Sequence, residues 1–570
     1  MTSTSNAPTW WDDAVVYQIY PRSFNDSTPD DATADAIAGD GVGDIPGIVE
    51  KLDYIADLGV DVVWLTPVYD SPLNDYGYDV RDYRSTLDEF GTMRDWERLR
   101  DGLHERDVRL IMDLVVNHTS SEHEWFERSR RKEDPYIDYY VWRESDDGPP
   151  NNWDSLFGGP AWTYDEVRGA YYLHLFDETQ PDLNWTNPAV REDVYEMMRW
   201  WLDKDVDGFR MDVINFISKT DGLPDGHPSE VVTGSEHFIN GPHVEEYLWE
   251  MHDEVLADYD VLTVGEMPGI SVEDALAYAG TDAPLDMVFH FEHMRLDEGE
   301  ADPWNFSDWK LTDLKETFTL WQEGLYPDGW NALYLNNHDQ PRMVSRFGDD
   351  EAYRVESAKL LGTLLHTLRG TPFVYQGEEI GMTNVPFESV DEFTDVETIR
   401  YVERMLERDD VENFDDIGDA VRYGSRDNAR TPVQWNDSAN AGFTTGEPWL
   451  TVNPNYTEIN VESARADTDS VWHYYRRLID LRHDHDVLVS GRYELLLPDH
   501  PEIYAYLRRG EEQRALVVLN FSTEPSRFEL PEEVSVDDPT LLLANYDVDA
   551  QDSPAGVRLR PYEARVYLLD

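Results

Sequence analysis

Eight short apolar runs recur along this chain, and segments whose apolar residues have helical spacing separate them. Between the first two runs, Ile48, Leu52 and Ile55 fall on one helix face, and Gly59 follows as a candidate C-cap. Strand and helix alternating eight times over are typical of a closed parallel barrel. We therefore predict an α/β fold of the (β/α)8 class, with strands in the runs 15–21, 62–69, 110–118, 207–213, 261–267, 287–291, 331–339 and 371–379.

Polar side chains gather at the C-terminal ends of these runs. In barrels of this class, that end of the strands carries the active site. The candidate functional residues at these ends are Asn117 and His118, Arg210 and Asp212, Glu266, His338 and Asp339, and residues 376–379.

Two connections between the runs are long, and the periodicity changes near the C-terminus. Residues 119–186 are rich in aromatic residues, Gly and Pro, which predicts a small domain inserted after the third strand. A second long connection, 381–450, follows the last barrel strand. From about residue 487 apolar and polar residues alternate, which indicates a C-terminal all-β domain. We predict a barrel domain of residues 1–118 and 187–486, an inserted domain of 119–186 and a C-terminal domain of 487–570.

The charge of the chain is strongly negative, with 46 basic and 118 acidic residues giving a net charge of −72. The acidic residues are spread along the sequence, so they indicate a solvated surface on a folded protein. Self-repulsion of this size strains the compact state, and salt relieves it. We therefore expect a halophile-like chain adapted to a salty cytoplasm. Stripes of Lys and Arg that would bind nucleic acid are missing.

Cysteine is absent, which excludes disulfides and thiolate metal sites. Residues 1–13 lack the charged and apolar regions of a signal peptide, and no apolar run approaches the roughly 20 residues of a membrane helix. We expect a cytoplasmic location and no membrane partner. The sequence leaves the oligomeric state open.

The run 208–213 carries Arg210 and Asp212 two residues apart, so both point to the same face of a strand. A guanidinium beside a carboxylate lowers the pKa of that carboxylate, which suits a nucleophile. A buried structural ion pair is the alternative interpretation. Glu266 follows an apolar strand, a setting that raises a carboxyl pKa as a general acid requires. Two such carboxylates suffice for retaining glycoside hydrolysis.

The sequence resembles glycoside hydrolase family 13, the α-amylase family, and especially its oligo-1,6-glucosidase and α-glucosidase branch. The resemblance rests on the segments 113–120, 180–185, 208–213, 264–267 and 336–342, in that order. It implies Asp212 as the nucleophile, Glu266 as the acid/base and Asp339 as the residue that stabilises the transition state. It also implies that His118, Arg210 and His338 surround the glucose ring.

Further residues match the part of this branch that holds the non-reducing glucose. Asp75 and Tyr78 match the residues that hold and stack on the sugar, and Arg430 matches an arginine that pairs with the aspartate. Such a pair gives directional hydrogen bonds to hydroxyls and closes the pocket to a longer chain. Phe176 matches an aromatic wall. The resemblance thus implies an exo-acting enzyme.

Val213 follows the expected nucleophile directly, and valine there resembles enzymes that act on α-1,6 links. We expect a retaining α-glucosidase acting on short α-glucosides such as maltose, isomaltose and sucrose, with a preference for α-1,6 links. The alternatives are a sucrose isomerase or trehalose-forming glucosyltransferase, and a catalytically silent binding protein. Sucrose isomerases carry a basic segment after the stabiliser motif, whereas residues 345–350 here are Ser-Arg-Phe-Gly-Asp-Asp, which favours hydrolysis.

A metal loop is also implied after the first strand. Asp26, Asp40, Val42 (through its carbonyl) and Asp44 match a loop of this branch that offers oxygen ligands to a hard cation, Ca²⁺ or Mg²⁺. About ten extra residues interrupt that loop here, and an ordinary Gly-Asp turn is the alternative. No organic cofactor is expected.

Overall fold

The eight apolar runs form one parallel sheet that closes into a barrel. The computed structural model describes residues 9–28, 37–229, 231–299, 302–408, 411, 413–536, 539–549 and 552–569. The strands are hydrogen-bonded in the order β6-β5-β4-β3-β2-β1-β8-β7, and a parallel bridge between Val288 and Asn331 joins β6 to the start of β7. They span β1 (Val16–Ile19), β2 (Val62–Leu65), β3 (Arg109–Val115), β4 (Gly208–Asp212), β5 (Leu262–Glu266), β6 (Met287–Phe289), β7 (Ala332–Leu333) and β8 (Thr371–Tyr375).

Helices cover the outside of the barrel, so nearly every strand residue is buried, as in other parallel sheets. The longest helix, Pro188–Leu202, begins where the Asn187 side chain accepts from the Ala189 N–H and Pro188 fixes the first turn. The α-helices are Ile45–Glu50, Leu52–Leu58, Met93–His104, Glu124–Arg130, Pro188–Leu202, Val244–Glu254, Val272–Ala279, Leu311–Gly324, Met343–Phe347, Arg354–Thr367, Val396–Leu406, Gly418–Gly424, Asp427–Arg430, Val461–Ala466, Val471–Asp484 and Asp486–Val489. Across the described ranges, none is long and apolar enough to cross a membrane.

The long connection between β3 and β4 contains secondary structure of its own. It contains the helix Glu124–Arg130 and a three-stranded antiparallel sheet of Trp142–Arg143, Ala170–Leu173 and Trp162–Asp165. The strand pair Tyr69–Asp70 and Asp82–Thr86 lies in the connection between β2 and β3. The segment 119–186 therefore forms one wall above the C-terminal ends of the barrel strands.

The connection after β8 forms a second wall. Its helices Val396–Leu406 and Gly418–Gly424 pack around an apolar cluster that includes Phe387, Phe393 and Val421. The Arg400 guanidinium forms a salt bridge with Asp177 of the first wall. The two walls are therefore joined to each other as well as to the barrel.

The C-terminal segment forms antiparallel sheets, which confirms the expected fold class. Its five-stranded sheet has the order Arg492–Leu496, Ile503–Arg509, Arg514–Asn520, Ala564–Leu568 and Thr540–Ala544, and Ser526–Glu529 pairs with Gly556–Leu559. The domain division at residues 118, 186 and 486 remains a proposal.

Candidate active site

Three carboxylates meet in one cavity at the C-terminal end of the barrel. Asp212 is the last residue of β4, Glu266 is the last residue of β5, and Asp339 follows β7. The cavity has a volume of about 520 Å³. Of the residues predicted from the sequence, it is lined by Asp75, Tyr78, His118, Phe176, Asp212, Val213, Glu266 and Asp339.

Arg210 contacts three carboxylates at once. Its Nη1 lies 2.6 Å from Asp113 Oδ1 and 2.7 Å from Asp212 Oδ1, and its Nη2 lies 2.5 Å from Glu266 Oε1. Burial raises the pKa of Asp212 well above its usual range; Arg210 opposes this shift, while Glu266 and Asp113 add to it. Arg210 thus lowers the pKa of Asp212, as expected, but burial and the two neighbouring carboxylates outweigh that effect. The guanidinium of Arg210 is therefore the shared counter-charge of three carboxylates.

Val213 adopts a strained backbone conformation directly after Asp212. Its φ of 35° and ψ of 42° are left-handed, a region that β-branched residues rarely occupy. In this conformation its N–H donates to Glu266 Oε2 over 3.0 Å. Val213 therefore links the ends of β4 and β5, and its side chain packs with apolar residues of the inserted domain.

Asp339 lies among cationic and aromatic neighbours. Its Oδ1 is 2.8 Å from Arg430 Nη2 and 3.2 Å from Arg426 Nη1, and its Oδ2 is 3.1 Å from His338 Nε2. Burial alone would raise the pKa of Asp339, but His338 and the two guanidinium groups outweigh it and hold that pKa well below its usual range. Tyr78 stacks on His338 with ring centroids 5.2 Å apart, so the imidazole is held in place. Asp339 is thus an anion in this pocket.

His118, just after β3, and Phe176, in the segment 119–186, lie side by side at one side of the cavity. Their rings lie 5.1 Å apart. Burial lowers the pKa of His118 to about 4, so the imidazole is neutral. Its Nδ1 lies 3.2 Å from Asn117 Nδ2 and therefore accepts, which leaves Nε2–H to donate to the Tyr78 carbonyl over 3.1 Å. The side chain is thereby fixed in one tautomer.

Asp75 pairs with Arg426, and the predicted pairing with Arg430 is wrong. Arg426 Nη2 lies 3.3 Å from Asp75 Oδ1, whereas the guanidinium of Arg430 contacts Asp339, Asp395 and the His338 carbonyl. The two arginines are four residues apart at the short helix Asp427–Arg430, so both reach the same region. Arg426 lines the cavity next to Asp75.

The predicted metal residues are engaged with protein donors. Asp26 accepts from the N–H groups of Gly39 and Gly41, and Asp44 accepts from Gly47 N–H at the start of the helix Ile45–Glu50. Among the residues described, no group of three or more acidic, His or Cys side chains is placed to hold a metal. The structure does not gather the three predicted carboxylates into one such group.

The order of the site residues along the barrel agrees with a known family. Residues 18–491 match the family described as alpha amylase, catalytic domain, and residues 493–566 match the maltogenic amylase C-terminal domain. This chain belongs to the α-amylase family. It is thus a glycoside hydrolase of that family, whose chemistry needs no organic cofactor.

Relatives within the family extend over the full length of the chain. An oligo-1,6-glucosidase of Halalkalibacterium halodurans is 56% identical over 98% of this chain and 99% of its own length. The crystal structure of trehalose-6-phosphate hydrolase from Bacillus licheniformis is 46% identical, covers 99% of this chain and 100% of its own, and has a TM-score of 0.92. The crystal structure of isomaltulose synthase from Klebsiella is 43% identical with the same coverage and a TM-score of 0.94.

Several residues of this family site were missed from the sequence. Arg426 could have been found, because it precedes Arg430 by one helical turn. Gln180, which donates to Asp75 Oδ2 over 3.1 Å, lies in a segment already singled out for the resemblance. Arg295 and Glu298 line the cavity from the loop after β6, and no sequence pattern indicated them.

Proposed function

We propose that this enzyme is a retaining, exo-acting α-glucosidase that releases glucose from the non-reducing end of short neutral α-glucosides, with a preference for α-1,6 links. The main support for the proposal is that one cavity is lined both by Asp212, Glu266 and Asp339 and by the buried ion pair of Asp75 and Arg426. A carboxylate and a guanidinium held side by side bind vicinal hydroxyls with defined direction. They select a terminal sugar at the closed end of the pocket.

The bond is cleaved in two displacements. An oxygen of Asp212 attacks the anomeric carbon while the glycosidic C–O bond breaks, and Glu266 gives its proton to the departing oxygen. Glu266 then takes a proton from water, the water oxygen bonds to the anomeric carbon, and the Asp212 ester bond breaks. Asp339, held as an anion, binds sugar hydroxyls as the ring charge develops.

Two related activities are less well supported. A trehalose-6-phosphate hydrolase must bind an aglycone that carries two negative charges. The cavity here is lined by Glu298 and Glu397 in addition to its other carboxylates, and by the cations Arg295 and Arg426, so its carboxylates would repel such an aglycone. A sucrose isomerase must exclude water during transfer. The segment 345–350 does not line the cavity; its Arg346 is buried against Asp297, with Nε 2.9 Å from Oδ2. A silent binding protein would not need all three carboxylates.

Product analysis tests the proposal directly. We expect purified protein to release glucose from isomaltose faster than from maltose and to leave trehalose 6-phosphate intact, with the α-anomer of glucose formed first. Formation of isomaltulose from sucrose as the main product would favour the isomerase. Absence of any product from maltose, isomaltose and sucrose would favour the binding protein.

We also propose that the loop containing Asp26 and Asp44 holds a structural Ca²⁺ or Mg²⁺, with Asp40 and the Val42 carbonyl as further ligands. Two buried carboxylates lie near each other here, and burial raises the pKa of Asp44 to about 7, with Asp26 adding to the shift. A cation would relieve that repulsion and order the loop. Metal analysis of the purified protein, before and after dialysis against a chelator, tests this.

We further propose adaptation to a salty cytoplasm. The supporting observation is the net charge of −72, which salt screens. Circular dichroism during dialysis from molar salt to low salt is expected to report loss of structure. A fold that is unchanged at low salt would contradict the proposal.

A further inference from the structure

A second cavity lies outside the active site and shares none of its lining residues. Its volume is about 500 Å³, close to that of the catalytic cavity. It lies between the strand Asp82–Thr86, the start of the inserted domain at 122–125, the turn Tyr136–Asp138 and the helix Pro188–Leu202. We propose that it is a binding site for neutral α-glucan oligosaccharides, separate from the site of cleavage.

The lining of this cavity combines an aromatic floor with a polar rim. Trp125 and Tyr136 are half-buried, while Tyr83 and Met197 are buried beneath them. Trp125 packs edge-on to Tyr139 at 5.6 Å, and Arg128 covers Tyr136 with its guanidinium carbon 4.1 Å from the ring centroid. These contacts hold the rings rigid. A rigid aromatic surface with exposed polar tips suits the apolar face of a sugar ring.

The polar ends of the two rings have no protein partner in this part of the chain. Among the residues described, no hydrogen bond is found at Nε1 of Trp125 or Oη of Tyr136, and both side chains are partly exposed at the cavity, so these atoms are accessible to a ligand. On the rim, Arg84 Nη2 and Glu196 Oε2 form a long salt bridge of 4.0 Å between exposed side chains. Such an exposed pair contributes little to stability, so hydroxyl groups of a ligand can replace it at small cost.

The charge of the rim selects against anionic ligands. Five carboxylates (Asp82, Glu122, Glu124, Asp193 and Glu196) face two guanidinium groups (Arg81 and Arg84), which leaves three negative charges. His123 adds none, because burial lowers its pKa to about 4. Phosphorylated sugars and nucleotides are therefore disfavoured, and an uncharged polyhydroxyl ligand fits the remaining features.

The floor of this cavity also touches the back of the active site. The Tyr83 hydroxyl donates to the Val115 carbonyl over 2.7 Å and lies 3.2 Å from the His118 carbonyl. An oligosaccharide held here would be retained beside the catalytic cavity without entering it. This role goes beyond the proposed activity, and binding does not depend on which link the enzyme cleaves.

Calorimetric titration of the full chain carrying Asp212→Asn tests the proposal, since this variant cannot complete cleavage. We expect maltohexaose or isomaltohexaose to bind at two sites per chain. Adding Trp125→Ala should weaken the second site by about tenfold or more, equivalent to about 1.4 kcal/mol, while the first site keeps its affinity. Tyr136→Ala, at a turn that buries no side chain, serves as a second variant if Trp125→Ala fails to fold.

Trp249→Ala is the matched control, because Trp249 is a half-buried tryptophan on another barrel helix. It should leave both sites intact. A single site in the Asp212→Asn chain, or two sites that neither Trp125→Ala nor Tyr136→Ala alters, would overturn the proposal. Spermidine, titrated alone, tests whether the cavity binds a cation instead. If spermidine binds and Trp125→Ala weakens that binding, while the oligosaccharides do not bind at this cavity, it is a cation site and not a sugar site.

Discussion

Arg426 Nη2 lies 3.3 Å from Oδ1 of Asp75, and both side chains line the catalytic cavity. The same guanidinium lies 3.2 Å from Asp339 and 2.5 Å from Asp395, so one cation holds carboxylates from three parts of the chain. The cation that we propose to bind the terminal sugar therefore also helps to keep Asp339 ionised.

Arg426→Lys should lower kcat/KM for isomaltose by about 10–100-fold, because hydrogen bonds to charged groups contribute about 1.5–3 kcal/mol each. Lysine keeps the charge but cannot reach several carboxylates in one plane. Steady-state kinetics measures the loss. Arg94→Lys, at an exposed position of the helix Met93–His104, is the control and should have native kinetics.

Val213→Ala should reduce the ratio of isomaltose to maltose hydrolysis by about tenfold, since a few methyl groups in a pocket discriminate by about 1–3 kcal/mol. The reason is that Val213 lines the cavity, follows Asp212 directly and donates its N–H to Glu266, so it contacts both carboxylates expected to do the chemistry. Val232→Ala also shortens a cavity-lining valine, but away from these residues, and should change the ratio less. An unchanged ratio in Val213→Ala would remove this residue as a determinant of linkage.

Asp44 gives the protein a specific pH dependence of stability. Because burial raises its pKa to about 7, the folded chain binds this proton more tightly than the unfolded chain does. The free energy of unfolding should therefore fall as the pH rises from about 4 to 7, by at most about 1.4 kcal/mol per pH unit from this group.

Asp44→Asn should flatten that part of the profile, as measured by denaturant unfolding between pH 4 and 7 in chelator. Asp53→Asn, at a side chain that is 87% exposed, is the comparison and should leave the slope as it is. If added Ca²⁺ removes the slope in the native chain and not in Asp44→Asn, the loop binds the ion.

Lys219 connects the inserted domain to the barrel. Its buried Nζ lies 2.6 Å from Asp182 Oδ2 and 2.9 Å from Asn117 Oδ1. Lys219→Met should reduce the free energy of unfolding by about 3–5 kcal/mol, because it leaves a buried carboxylate without its cation. Thermal unfolding of this variant beside Lys310→Met, an exposed lysine, measures the difference. Equal stability of the two variants would show that Asp182 is compensated elsewhere.

The barrel was predictable because its strands are buried on both faces and therefore read as continuous apolar runs. Even β7, only two residues long, lies within a predicted run. In the C-terminal domain the sequence predicted alternation only in general terms, and Ser526–Glu529 and Gly556–Leu559 show why, since they are short and half of their residues are exposed. Strands of this kind contain too few alternating apolar residues to be predicted from the sequence.

The sequence predicted which residues belong to the site, but it did not predict all of their ion-pair partners. Asp212, Glu266 and Asp339 follow strands that the barrel must bring together. Whether Arg426 or Arg430 faces Asp75 depends on the direction of a single helical turn, which spacing alone does not fix. The pKa of Asp212 depends first on how deeply the residue is buried and then on its charged neighbours, and Asp113 becomes one of these only once β3 and β4 are adjacent.

Because Arg210 holds Asp113, Asp212 and Glu266 together, these three carboxylates depend on one counter-charge. A substitution that changes the pKa of one carboxylate therefore also changes how strongly the guanidinium of Arg210 interacts with the other two. Efforts to move the activity optimum by changing a single catalytic neighbour should therefore displace the whole bell-shaped profile and not widen it on one side. Widening would require a second cation, supplied from a residue outside this cluster.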